Sequence, residues 1–87
     1  MPRFIAVHTF PYSEQELMAM LKDMAPKVPP GFTWKQTFCD FDGNKHFCEW
    51  EAASKEALEQ AFQANELPFD AIHPVRRFDP VSMQLEP

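Results

Sequence analysis

A two-layer α+β sandwich with the element order β-α-β-β-α-β is the fold class this sequence predicts, and three observations predict it. Strand-like stretches rich in aromatic and β-branched residues are separated by two capped stretches with helical periodicity. The first strand-like stretch is apolar on both faces, as a central strand is. The last one contains Pro74, which cannot donate to a ladder and belongs at a sheet edge. Short right-handed crossovers then give four antiparallel strands in the order 4-1-3-2, with both helices on one face: a ferredoxin-like sandwich.

Residues 3–10, RFIAVHTF, form the first strand, with Phe4, Ala6, His8 and Phe10 on one face and Ile5, Val7 and Thr9 on the other. A helix follows. Ser13 with Glu16 three residues on is a capping box, Leu17, Met20, Leu21 and Met24 recur at helical spacing, and Pro26 ends the run. Residues 32–52 read as a hairpin turning at Asp42-Gly43. Ser54 caps a second helix with an apolar stripe at Leu58, Ala61 and Phe62, and Asn65 stops it. Residues 69–80, FDAIHPVRRFDP, form the last strand.

At 87 residues the chain holds one domain, expected over 1–80 with a short tail at 81–87. An apolar share of 45% with nine phenylalanines supplies a core without staples. No apolar run approaches membrane-spanning length, and the first ten residues, with Arg3 and His8, do not resemble a leader. The two cysteines are therefore expected reduced, in a cytoplasm. A net charge of −5 argues against a nucleic-acid partner, since Arg76-Arg77 is the only paired basic feature. Those two arginines either hold a small anion or pair with glutamates.

Two helices cover only one sheet face. The other exposes apolar side chains from the first strand and the hairpin, so a homodimer packed sheet against sheet is expected, a dimeric α/β barrel with a cavity between its sheets. Register decides what that cavity meets. A two-residue turn at Asp42-Gly43 pairs Cys39 with His46 and Phe38 with Phe47. Cys39, His46, Cys48 and Trp50 then face the helices, while Trp34, Gln36, Phe38, Phe47, Glu49 and Glu51 face the dimer side.

Three histidines and two cysteines admit a metal reading, because imidazole and thiolate suit nickel, zinc or copper. The first and last strands are neighbours, so His8 and His73 are expected close together, with Glu49 approaching from the third strand. The alternative is that these are ordinary core or surface residues, and no C-x-x-C or H-x-x-x-H clip decides between them. His46 is placed to act as a base for Cys39 or Cys48, although free cysteine often simply packs. Glu49 and Glu51 share a strand face and suit acid–base work if the dimer buries them.

The run FCEWEAASKEAL, followed by NELPFDAI and a valine, resembles a bacterial domain-of-unknown-function family of small ferredoxin-like proteins that includes a nickel-binding member. Phe47-Cys48, Glu51-Ala52, Asn65, Leu67-Pro68 and Asp70 carry the resemblance, and the opening MPRFIAVHTF is also similar. The resemblance implies a dimeric ferredoxin-like fold and transition-metal binding. It carries over His8 as a ligand position, through Val7-His8, and marks Cys48 and Glu51. Ala6 stands where the metal-associated branch has an acid, and Phe62 and Asn65 stand near positions where it has histidines.

Taken together, the sequence reads as a small ligand-binding protein for a divalent transition metal such as nickel. The alternative is a cofactor-free isomerase or monooxygenase using the inter-sheet cavity. A third reading is an interaction module without a site.

Overall fold

The computed structural model describes residues 1–87. Its elements are β1 (Arg3–Thr9), α1 (Glu14–Met24) with a 3-10 turn at Ala25–Lys27, β2 (Thr33–Asp40), β3 (Lys45–Glu51), α2 (Lys55–Ala64) and β4 (Ala71–Val75). The main sheet is antiparallel in the order β2-β3-β1-β4, the ferredoxin-like topology expected from the element order. No helix is long and apolar enough to cross a membrane.

Local chemistry sets the helix ends. The Ser13 hydroxyl accepts from the Glu16 amide and the Glu16 carboxylate accepts from the Ser13 amide, closing the capping box at the start of α1. The Ser54 hydroxyl accepts from the Ala57 amide at the start of α2. Each such cap contributes about 1 kcal/mol. Under the helices lies one core of Phe4, Ala6, Cys48, Trp50, Ala52, Leu58, Phe62 and Ile72. Even-numbered β1 residues enter it, and Ile5 and Val7 stay half-buried on the open face.

The hairpin register is the expected one: Cys39 pairs with His46, Phe38 with Phe47 and Asp40 with Lys45. One placement is corrected. A bulge between Trp34 and Gln36 leaves Lys35 unpaired and sets Trp34 opposite Trp50. An extra residue inverts side-chain parity, so Trp34 turns from the open face to the helix side. There its ring stacks on Trp50 with centroids 5.9 Å apart at 12°, and its indole N–H donates to Thr37 Oγ1 at 2.8 Å.

The last strand is also shorter than expected. β4 ends at Val75, opposite Arg3, because β1 begins there and offers no further partner. Residues beyond it, including the expected tail at 81–87, form a separate hairpin of β5 (Phe78–Asp79) and β6 (Gln84–Leu85). Glu86 anchors it, accepting from Arg77 Nη1 at 2.8 Å through its side chain and from Arg76 Nε at 3.0 Å through its carbonyl.

Candidate functional site

The chemistry-bearing side chains form two cross-strand rows, one on each face of the sheet. On the helix side, Cys39, His46 and His8 are successive partners across β2, β3 and β1. On the open side, Gln36, Glu49, Ile5 and His73 run across β2, β3, β1 and β4.

His8 is fully buried, and its ring lies against Phe10, with centroids 5.2 Å apart, and Phe62, at 5.4 Å. Its Nδ1 sits 2.8 Å from the Pro68 carbonyl oxygen. A carbonyl only accepts, so Nδ1 carries the proton and Nε2 is left as the bare nitrogen. Burial pushes the His8 imidazole below its ordinary pKa, outweighing the Pro68 carbonyl, which raises it. His46 is equally buried, between Phe10 and Phe41, and neither of its ring nitrogens has a hydrogen-bond partner. Burial pushes the Cys48 thiol up to about 11, against the hydrogen bond it accepts from Thr37 Oγ1 at 3.2 Å. Partial desolvation also raises the thiol of Cys39, which is exposed. Neither His46 nitrogen is hydrogen-bonded to either thiol, and desolvation opposes the thiolate at both.

The open face is wetter and ion-paired. Glu49 accepts from Arg3 Nε at 3.2 Å and from Gln36 Nε2 at 2.7 Å. Glu51 meets Lys35 Nζ at 3.3 Å. His73 is exposed on β4, opposite Ile5.

His8, Glu49 and His73 therefore do not meet. His73 and Glu49 flank Ile5 on one face, and His8, three residues further along β1, points to the other. No three histidine, cysteine, aspartate or glutamate side chains of the chain converge on a metal-sized space. The donors of a single chain do not by themselves fit a nickel ion.

Sequence reasoning missed a polar cluster at the end of β1. Asp70 accepts from Thr9 Oγ1 at 2.5 Å and from Lys45 Nζ at 3.1 Å, and these bonds hold its carboxyl below the usual range. The Asp70 amide donates to the Val7 carbonyl at 2.7 Å, which seats the loop carrying Pro68 against His8. The signal was present in the pairing of first and last strands, which brings Asp70 beside Thr9.

The family model described as "Nickel responsive protein SCO4226-like" matches residues 4–75, most of the chain. Among solved structures, the crystal structure of SCO4226 from Streptomyces coelicolor A3(2) aligns with a TM-score of 0.67 at 24% identity, covering 84% of this chain and 94% of that one. At that identity the likeness is one of fold. No curated protein matches.

Proposed function

This chain belongs to the SCO4226-like family of nickel-responsive proteins, and from that premise we propose that it binds a divalent transition metal, nickel foremost, at a site completed by two copies across their open sheet faces. The observation carrying this reading is the row that sets His73 and Glu49 on either side of Ile5 on one solvent-reached face. Imidazole and carboxylate suit nickel and zinc. On the opposite face an ion would lose its hydration among Phe10, Phe41 and Phe62 with no carboxylate to replace it, which costs several kcal/mol.

One chain brings too few donors, and a two-fold partner doubles them. Such a partner also covers the apolar part of the face, where Phe38 and Phe47 are exposed beside half-buried Ile5 and Val7. Glu49 would exchange Arg3 for the cation. The net charge of −5 favours cation capture. A reducing cytoplasm suits Cys39 and Cys48, both free thiols.

Native mass spectrometry of tag-free protein offered nickel, zinc and copper tests the proposal. A dimer with a fixed nickel stoichiometry that falls in both His73→Ala and Glu49→Gln is expected. A monomer, or nickel uptake unchanged in those variants, overturns it.

A further inference from the structure

On the far side of the sheet from the proposed metal row, a cavity of about 300 Å³ opens between α1, the 3-10 turn and α2, with Trp50 and Leu58 among its lining residues. Five of those residues are aromatic: Phe10, Tyr12, Phe32, Trp50 and Phe62. That volume is in the range of small-molecule sites, and aromatic walls of this kind favour a flat apolar body. The indole N–H of Trp50 is buried and has no acceptor anywhere in the chain.

The charge at the rim is not balanced. Asp23 and Lys27 pair with each other at 3.0 Å, one helical turn apart. Glu66 has no ion-pair partner and is the remaining charged lining residue.

Glu66 is also doubly misplaced for stability. It follows the Asn65 cap of α2 with φ 55, the left-handed conformation that favours glycine. Its amide donates to the Gln63 carbonyl at 3.1 Å and the Leu67 amide to the Phe62 carbonyl at 2.9 Å, the paired bonds of a Schellman turn, whose C′ position is usually glycine. A carboxylate there also meets the negative end of the helix dipole, and the last turn of α2 has no basic residue to offset it. Strained and unfavourable residues of this kind gather at binding sites.

We propose that this cavity binds a small arylalkyl amine as its cation, the ring held among the aromatic walls and the alkylammonium held at Glu66. Ring faces attract cations as well, so walls and rim select the same charge. An aromatic anion of equal size meets an uncompensated carboxylate. The site is independent of the metal row, which lies on the other face.

The test is a titration followed by the Trp50 indole N–H resonance in 15N-labelled protein, assigned with Trp34→Phe. The probes are 2-naphthylmethylamine and the anion 2-naphthylacetate. A saturable shift with the amine, at least threefold weaker with the anion and about threefold weaker in Glu66→Gln, is expected, since an exposed ion pair is worth well under a tenfold factor. Ala61→Phe, which fills the cavity from α2, should abolish the shift while the remaining amide spectrum stays dispersed. No saturable shift with the amine, equal binding of the anion, or an unchanged affinity in Glu66→Gln overturns the proposal. Because neither probe is a metal, failure here leaves the nickel reading standing, and the converse also holds.

Discussion

His8 and His46 are direct partners across β1 and β3, both turned to the helix side and both 1% exposed. Burial disfavours the addition of a proton to His8, and the neighbouring imidazole of His46 acts on it in the same direction.

Stability should therefore fall with acid in a defined window. The folded pKa of His8 lies below its unfolded value of 6.5, so on acidification the unfolded chain takes up a proton before the folded one. The loss of stability from His8 is absent above that value and grows as pH falls from it toward the folded pKa, with a slope of at most about 1.4 kcal/mol per pH unit for one proton. Urea midpoints measured from pH 8 to pH 5 should be level at first and then decline, and His8→Phe should flatten the decline.

His46→Leu should stabilise the protein. Both ring nitrogens of His46 are buried without partners, and such an unsatisfied group costs roughly 1–3 kcal/mol. Leucine keeps the volume and removes the polar atoms. A rise of about 1–2 kcal/mol in chemical denaturation is expected; a fall would mean that the imidazole makes an interaction the folded chain alone does not contain.

The two thiols should separate by reactivity. Cys39 is exposed, and Cys48 is buried with its thiol pushed up to about 11. At pH 8 a disulfide reagent should label Cys39 promptly and Cys48 only on unfolding, giving one fast equivalent per chain in native protein. Cys39→Ser should abolish that fast phase.

Glu66→Gly should raise stability by about 1 kcal/mol, by relieving a left-handed non-glycine residue and a carboxylate at a helix C-terminus. Thermal melts of the two proteins measure it.

The fold was legible because its signals were local and redundant: a capping box, two apolar stripes, a turn dipeptide and an edge proline all agree on one topology. The candidate site was less legible because it depends on parity. Knowing that β1 and β4 are neighbours does not say which β1 residue faces His73, and the answer is Ile5 rather than His8. Trp34 shows the same limit, since one bulged residue moved it to the other face and nothing in the run TWKQ announces a bulge. The closing hairpin at 78–85 was hidden because each of its strands has only two residues, too few to show alternation.

The rims of the sheet bear on how the protein behaves when concentrated. β4, at one edge, includes Pro74, which has no N–H to offer an incoming chain, and β2, at the other, is broken by the bulge at Lys35. Exposed strand edges are the templates on which fibres grow, and proline and bulges are the usual means of blunting them. Both ends of this ladder are blunted in that way, so open-ended polymerisation through the edges of this sheet is disfavoured.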